Sequence, residues 1–208
     1  MVVVTNLRKM NSKILIIILA LIVFSCSSSK KVFENKVLEN NLEGITKEFY
    51  DNGDLKFEWN YKNNILNGIS TEYHTNGTYS KWNYENGLLI EGKSYYKSGS
   101  LLQEYTFKNG QRDGIAYLYY ETGEKETVWV FKNDILISGN GYYPTGEKKV
   151  DFKYKNGIPE GISTEYFKNG KIKVEWKYKD GILNGESKEY YENGNIKYIW
   201  NYKNGKIL

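Results

Sequence analysis

Few side chains in this sequence could carry covalent or acid–base chemistry. The 208 residues include one cysteine, Cys26, and one histidine, His74. A thiol can be a nucleophile or an acylation site, and an imidazole can be a general base or a metal ligand. Asp51 and Asp54 lie on either side of Asn52-Gly53, where two carboxylates could hold calcium weakly. The pattern of the surrounding residues decides among these possibilities.

His74 and the two aspartates are better explained as parts of a repeating pattern. His74 lies three residues before a glycine, at a position that other stretches fill with tyrosine or phenylalanine, so we expect its ring to pack as a flat group. The aspartate pair is absent from the matching stretches, which favours a solvated turn. The sequence contains no phosphate-binding loop, nucleophile elbow or cysteine–histidine pair. We therefore expect no catalytic residue, no cofactor site, no metal ligand, no small-molecule substrate and no enzyme activity.

Three columns of glycine divide residues 44–208 into seven similar units, 44–67, 68–91, 92–113, 114–138, 139–160, 161–184 and 185–208. Units this short must stack on their neighbours to bury apolar surface. The first column opens each unit and contains Gly44, Gly68, Gly92, Gly114, Gly139, Gly161 and Gly185. The second contains Gly53, Gly77, Gly99, Gly123, Gly146, Gly170 and Gly194. The third contains Gly87, Gly110, Gly157, Gly181 and Gly205, with Asn64 and Asp134 in the first and fourth units. Gly141 falls outside all three columns.

The unit 161–184 has the pattern of two strands joined by a tight turn. Its second half alternates apolar with charged residues, as a half-buried strand does. We expect a three-residue loop, Lys168-Asn169-Gly170, with a type I turn, a left-handed glycine and a G1 bulge. The parity of this loop predicts one apolar face made of Ile162, Thr164, Tyr166, Ile172, Val174 and Trp176. In the third glycine column, Asn64 and Asp134 indicate positive φ, which these two residue types tolerate better than most.

Aromatic residues recur at four fixed positions in the units. They lie four and three residues before the second glycine, and six and eight residues after it, or five and seven after Gly77. Every tryptophan belongs to one column, Trp59, Trp82, Tyr105, Trp129, Phe152, Trp176 and Trp200. We expect these rings to form ladders that hold adjacent strands together. The pattern predicts an all-β fold, an elongated single-layer antiparallel β-meander of seven stacked β-hairpins with fourteen strands.

Residues 1–25 have the pattern of a signal peptide. An apolar run of 11 residues, 14–24, follows Lys13 and is too short to cross a bilayer as a helix. The run ends in Val23-Phe24-Ser25-Cys26, which resembles the lipobox of bacterial lipoproteins. That resemblance implies that Cys26 is lipidated and anchors the protein to a membrane of the cell envelope. The alternative is an ordinary secretory signal with a chance cysteine, and Met10 is a more natural start than Met1.

Residues 26–43 contain the lipidated cysteine, a polar tether and a degenerate half-repeat that we expect to cap the array. Serine directly after the cysteine resembles lipoproteins of the Gram-negative outer membrane, and both a periplasmic and a surface orientation stay open. After residue 25 the chain has 26 basic and 25 acidic residues, with lysine and glutamate alternating along the units. This balance lacks the concentrated basic face that nucleic acid requires, so we exclude nucleic acid as a partner.

The repeats resemble the bacterial variant of the MORN repeat, in which a tyrosine pair, Asn-Gly, an aromatic residue and a second Asn-Gly follow one another. The runs 189–194 and 202–205 match that order, and the resemblance covers nearly all of residues 44–208. Proteins of this kind include envelope proteins and YwqK-type antitoxins. The resemblance implies a non-enzymatic cell-envelope lipoprotein that presents a β-repeat scaffold to an unknown protein partner. The alternative it implies is an antitoxin or immunity protein whose partner is a toxin.

Overall fold

The computed structural model describes residues 41–208, so the predicted signal peptide, Cys26 and the predicted tether up to residue 40 lie outside the described residues. Within 41–208 the regular structure consists entirely of strands, fourteen of six to eight residues and five of two residues. They are β1 Gly44–Phe49, β2 Leu55–Lys62, β3 Ile65–Leu66, β4 Gly68–Tyr73, β5 Tyr79–Glu85, β6 Leu88–Tyr95, β7 Leu101–Lys108, β8 Gln111–Arg112, β9 Gly114–Tyr119, β10 Lys125–Lys132, β11 Ile135–Tyr142, β12 Lys148–Lys155, β13 Ile158–Pro159, β14 Gly161–Tyr166, β15 Ile172–Lys179, β16 Ile182–Leu183, β17 Gly185–Tyr190, β18 Ile196–Lys203 and β19 Lys206–Ile207.

The strands follow one another through one open antiparallel sheet. β1 pairs with β2, β4 with β5, and β5 with β6. Five two-residue strands belong to tight turns; β3, for example, pairs with the end of β2, and β4 then pairs with the start of β2. The sequence-based prediction of an all-β meander with fourteen long strands and one hairpin per unit is therefore confirmed.

The hairpin loop at the second glycine has the predicted geometry. In unit 161–184 the Gly170 amide donates to the Phe167 carbonyl at 2.9 Å, and the Phe167 amide donates to the Lys171 carbonyl at 2.8 Å. Gly170 has φ of 80°, a value that costs a residue with a Cβ atom conformational energy. All seven glycines of this column have positive φ. The three-residue loop with a left-handed glycine is confirmed.

The predicted assignment of side chains to faces is wrong. A further bulge follows the loop, because Tyr166 pairs with Ile172 but Glu165 pairs with Val174, which leaves Lys173 unpaired. That extra residue reverses the parity of the first strand. Ser163, and not Ile162 or Thr164, therefore lies opposite Trp176, whereas Ile162 lies opposite Lys177 on the other face and is 48% exposed.

One hairpin lacks this bulge, and the sequence contains the reason. After Gly77 the aromatic columns come one residue early, and the register of β4 with β5 runs without a shift from Gly68–Tyr84 to Tyr73–Tyr79. The deleted residue is thus the bulge residue. The strand after Gly77 has one residue fewer and also has no bulge. The two changes of parity cancel, so Trp82 remains on the same face as the other tryptophans.

The turns of the third column contain two consecutive residues with positive φ. Asn63 and Asn64 have φ of 50° and 64°, and Asn133 and Asp134 have φ of 48° and 64°. Two left-handed residues in a two-residue hairpin are typical of a type I′ turn. The predicted replacement of glycine by Asn64 and Asp134 at left-handed positions is confirmed.

Gly92 and Gly139 differ from the other five glycines of the first column. Those five have positive φ, but Gly92 and Gly139 do not; they lie within the uninterrupted strands β6 and β11. A Cβ atom at Gly139 would lie 2.1 Å from Cζ3 of Trp129, and one at Gly92 would lie 2.6 Å from Cζ3 of Trp82. Glycine is required at these two positions because a tryptophan ring lies where a Cβ atom would be, and not because the backbone has positive φ.

The core lies on one face of the sheet, which we call the ring face; it is the face of Trp59, Trp82, Tyr105, Trp129, Phe152, Trp176 and Trp200. Rings stack along it, with centroids 5.9 Å apart for Trp129 and Phe152 and 5.7 Å apart for Trp176 and Trp200. Opposite each ring in its own hairpin is a small or β-branched residue, from Thr46, Ser70, Gly92, Ala116, Gly139, Ser163 and Ser187. This column lies seven residues before the second glycine and was not predicted from the sequence.

We expect Gly139→Ala to destabilise the protein by about 1–3 kcal/mol, because the added methyl group collides with the Trp129 ring. Urea unfolding measures the change. In a Trp129→Phe background the smaller ring should reduce the penalty of Gly139→Ala. An equal penalty in both backgrounds would show that the ring is not what excludes alanine.

We expect Gly170→Val to lower the free energy of unfolding by a few kcal/mol, but for a different reason. Nothing lies within 4 Å of the Cβ position of Gly170, so the cost comes from strain of the left-handed backbone alone. Gly170→Asn should cost less, because asparagine tolerates positive φ. Thermal melts of both variants test this order. Unchanged stability of Gly170→Val would refute the turn assignment.

Candidate functional site

His74 lies between a carboxylate and a hydroxyl group. Its Nε2 is 3.1 Å from Oγ of Ser80, and its Nδ1 is 3.9 Å from a carboxylate oxygen of Glu72. Ser80 is 3% exposed, and its hydroxyl also hydrogen-bonds Ser94 at 2.8 Å. The order of groups resembles that of a catalytic triad, but a substrate could not reach the buried hydroxyl. The contacts instead link three neighbouring strands. The sequence predicted only that the His74 ring packs as a flat group, and not these polar contacts.

The tyrosines that share the column of His74 link each unit to the next. The hydroxyl groups of Tyr50, Tyr96, Tyr120 and Tyr143 each donate to a backbone carbonyl of the following unit at 2.7 to 2.8 Å. The acceptors are the carbonyls of Tyr73, Tyr119, Tyr142 and Tyr166. Ring packing alone was predicted for this column, and these hydrogen bonds add a directional link between units.

A second set of tyrosines bonds to glutamates of the preceding unit. Tyr190 donates to Glu175 at 2.6 Å and Tyr119 donates to Glu104 at 2.6 Å. The hydrogen bond to Glu175, with burial and the carboxylate charge, raises the pKa of Tyr190 to about 12. Burial, followed by the hydrogen bond to Glu104, raises the pKa of Tyr119. Both hydroxyl groups are therefore neutral donors at physiological pH.

The indole groups of the ring face are held mainly by packing. Nε1 of Trp82 donates to Glu72 at 3.1 Å, but the buried Nε1 of Trp176 has no hydrogen-bond partner among residues 41–208. The matching carboxylate, Glu165, forms a salt bridge with Lys173 at 2.7 Å. Lys173 is the bulge residue of its hairpin. In the first unit the bulge residue Lys56 also bonds the matching carboxylate, Glu48, which still accepts a long hydrogen bond of 3.5 Å from Nε1 of Trp59.

The remaining candidates for chemistry can now be located. Asn52 bonds to Asp54 through its amide, at 2.8 Å from Nδ2 to the Asp54 carboxylate, so the residue between the two aspartates organises the turn. Among the described residues there is no group of three or more potential metal ligands. No helix in residues 41–208 is long and apolar enough to span a membrane. Cys26 lies outside the described residues, and its lipidation stays a prediction.

The face opposite the rings, which we call the isoleucine face, is the one with exposed apolar groups. One row of isoleucines follows the first glycine column, and a second apolar row lies beside the type I′ turns. Nine of these side chains are between 44% and 63% exposed, namely Ile45, Ile69, Ile115, Ile162, Ile65, Leu88, Ile135, Ile158 and Ile182. Repeated exposure of large aliphatic groups on one surface is typical of an interaction site. Ile162 was predicted to lie on the buried face and instead belongs to this exposed set.

Four segments of the sequence match the model of the MORN repeat variant, residues 42–63, 88–109, 159–180 and 183–204. These four segments are therefore of the MORN-variant type. Each matched segment contains one hairpin, β1–β2, β6–β7, β14–β15 or β17–β18. The unmatched hairpins repeat the same meander, and they include β4–β5, which lacks the bulge. The resemblance inferred from the sequence is confirmed as far as the repeat type.

Three solved structures have a distant likeness to this sheet. A mutant of S. aureus TarM, in complex with fondaparinux, α-GlcNAc-glycerol and UDP, is 10% identical with a TM-score of 0.34, and the match covers 57% of this chain and 22% of that one. The pneumococcal O-GlcNAc transferase GtfA, in complex with UDP and GlcNAc, is 11% identical with a TM-score of 0.21, covering 60% and 20%.

A porin-like protein from Bacteroides uniformis is 11% identical with a TM-score of 0.29, and the match covers 79% of this chain and 86% of that one. The chain thus spans about a fifth of the length of TarM and GtfA. Likeness at these TM-scores does not identify a function. No curated protein matches the sequence.

We expect the Tyr190–Glu175 hydrogen bond to make stability depend on alkaline pH. A tyrosine has a pKa of about 10 when unfolded, so the raised folded value favours the neutral group in the folded state. Its contribution is fully present below pH 10 and is lost as the pH rises towards about 12. Tyr190→Phe should cost about 1 kcal/mol near pH 8 and should lose less stability between pH 8 and pH 11 than wild type does, as measured by urea unfolding.

Tyr166→Phe provides the matched control, because the Tyr166 hydroxyl makes no hydrogen bond to a carboxylate in the described part of the chain. Its unfolding free energy should follow the wild-type pH dependence. Identical pH profiles for the two variants would contradict the assigned role of Tyr190.

Proposed function

We propose that this protein is a non-enzymatic lipoprotein of the bacterial cell envelope, anchored at Cys26, whose MORN-variant sheet binds a protein partner. The observation that carries the proposal is the exposed aliphatic surface of the isoleucine face, on a sheet whose rings are occupied by internal contacts. A repeat sheet of this kind offers a long, regular surface.

Rigidity of the scaffold favours binding. Hydrogen bonds from tyrosine hydroxyl groups link neighbouring units, and stacked rings fix their spacing. A surface held in its bound shape loses little conformational entropy when a partner docks. Little of the free energy gained by burying apolar area on the isoleucine face is therefore offset by ordering of the sheet.

The proposals of a lipid anchor and an envelope location rest on the sequence up to residue 27. The run Val23-Phe24-Ser25-Cys26 resembles a lipobox, and serine after the cysteine resembles proteins sorted to the outer membrane. We propose the outer membrane as the location, with the sheet at its periplasmic or its outer surface. The membrane is a partner through the acyl chains alone.

We expect metabolic labelling with an alkyne fatty acid to label the wild-type protein in its bacterial host and to leave Cys26→Ala unlabelled, because the thiol is the acylation site. Fractionation should place wild type with membranes and the variant in the soluble fraction. A Ser27→Ala variant keeps the cysteine and should still be labelled. Equal labelling of wild type and Cys26→Ala would reject the anchor.

The alternative function is that of an antitoxin or immunity protein that neutralises a toxin by direct binding, and it rests on the family resemblance. Deleting the neighbouring genes together with this one discriminates the two. If loss of this gene is lethal only while a neighbouring gene is intact, the antitoxin reading is favoured. An enzymatic activity that disappears with His74→Ala would contradict both readings.

A further inference from the structure

A column of lysines runs along the edge of the sheet where the type I′ turns lie. Six of the seven units have lysine at the last position of their second long strand: Lys62, Lys108, Lys132, Lys155, Lys179 and Lys203. Each pairs directly with the residue that follows the turn, as Lys62 does with Ile65 and Lys155 with Ile158. Directly paired residues share a face, so lysines and aliphatic groups form one band on the isoleucine face.

We call this band the turn-edge stripe; it consists of those six lysines with Ile65, Leu88, Ile135, Ile158 and Ile182. The opposite edge of the sheet has no such bias, since its loops begin with residues as different as Asp51, Thr75, Lys97, Glu121 and Lys168. The lysine column is therefore a property of one edge and not of the repeat composition.

About half of the basic residues elsewhere in 41–208 form salt bridges within the chain. Salt bridges join Lys56 to Glu48, Lys173 to Glu165 and Lys197 to Glu189 at 2.7 to 2.9 Å. In the stripe, only Lys132 has such a bridge, to Asp113 at 3.0 Å. The other five lysines form no salt bridge with any residue of 41–208.

Acidic residues at the same edge are engaged by the turns. The Glu160 carboxylate accepts a hydrogen bond from the Asp180 amide at 2.8 Å, and the Glu43 carboxylate accepts one from the Asn63 amide at 2.8 Å. Asp134 forms a salt bridge with Arg112 at 2.9 Å. These three carboxylates satisfy backbone and arginine donors. Glu85 takes the lysine position in unit 68–91 and pairs with Leu88, so the stripe has a negative charge there. Five of the six stripe lysines form no salt bridge within the described residues.

We propose that the turn-edge stripe binds an acidic amphipathic helix of a partner protein, laid across the strands, with apolar side chains on the isoleucines and carboxylates on the lysines. The inference rests on the proposed protein-binding function and names the chemistry of the partner. Successive units lie two strands apart, about 9.6 Å. Residues i and i+7 of a helix lie about 10.5 Å apart on nearly the same side, so a helix matches the stripe over three or four units.

An extended strand fits the stripe less well. Three of its residues span about 10 Å, but side chains at i and i+3 point to opposite faces. At every second unit of the stripe, the nearest residue of the bound strand would then point its side chain away from the sheet and into solvent. The helix is the occupant that matches both the spacing and the charge.

The test uses the full chain and a synthetic helical peptide of four heptads, with leucine at the inward positions and glutamate elsewhere. Fluorescence anisotropy measures binding at several salt concentrations. Lys155→Gln, Lys179→Gln and Lys203→Gln combined should weaken binding about tenfold or more, and binding to wild type should weaken as salt rises. The matched control combines Lys56→Gln, Lys173→Gln and Lys197→Gln, which removes the same charge from the opposite face and should change the affinity less than about twofold.

A second variant, Ile158→Thr with Ile182→Thr, removes aliphatic groups but keeps strand propensity, and it should also weaken peptide binding. Circular dichroism establishes that each variant is folded. Equal loss in the stripe and control lysine variants would overturn the proposal, as would the absence of peptide binding to wild type. Binding to phosphatidylglycerol vesicles or to DNA that depends on the stripe lysines, without peptide binding, would overturn it in favour of those ligands.

Failure of the stripe can be told apart from failure of the proposed function. Crosslinking in envelope membranes captures partner proteins with wild type and with the stripe lysine variant. A captured protein that binds both purified forms equally would leave the scaffold function standing and would overturn the stripe as its site. Capture lost in the stripe variant and kept in the control variant supports the stripe.

Discussion

The contact between a large ring and a small or β-branched residue on the neighbouring strand is the interaction on which the rest of this structure depends. A single-layer sheet has no second layer to cover its apolar face, so burial has to come from the sheet itself. Trp129 lies between Ala116 and Gly139 on its two flanking strands, and its ring covers both. Because each ring covers neighbours and is covered in turn by the next ring, burial increases with the number of stacked units.

Much of the backbone could be predicted from the sequence, because glycine, asparagine and aspartate mark left-handed positions directly. The number of strands, the hairpin loops and the two-residue turns all follow from those residues. The assignment of faces was not predicted, although the bulge residue is lysine in four hairpins, at Lys56, Lys149, Lys173 and Lys197, and Leu102 or Glu126 in two others. A lysine in an alternating strand has the same pattern in the sequence whether or not it is a bulge residue, yet the bulge moves a whole strand to the other face.

The candidate surface was missed for a related reason. Along the chain, lysine and glutamate alternate and the charge is balanced, so no basic patch is visible. Across the strands, Lys155 and Lys179 lie in one column, whereas Glu165 and Glu189 form salt bridges on the ring face and Glu160 bonds to a turn amide. Charge patterning in a meander therefore has to be read at the repeat period, since side chains one unit apart are the spatial neighbours.

The two faces of the sheet are under different constraints. On the ring face each side chain contacts the adjacent units, so a substitution such as one at Gly139 disturbs two strands at once. On the isoleucine face, Ile162 and Ile182 are half exposed, and their replacement changes few internal contacts. A repeat protein of this design can alter its exposed aliphatic side chains unit by unit without altering the fold, because the packed tryptophan column lies on the opposite side of the same strands. The isoleucine face carries part of the cohesion as well, since hydrogen bonds such as that from Tyr190 to Glu175 join neighbouring units there.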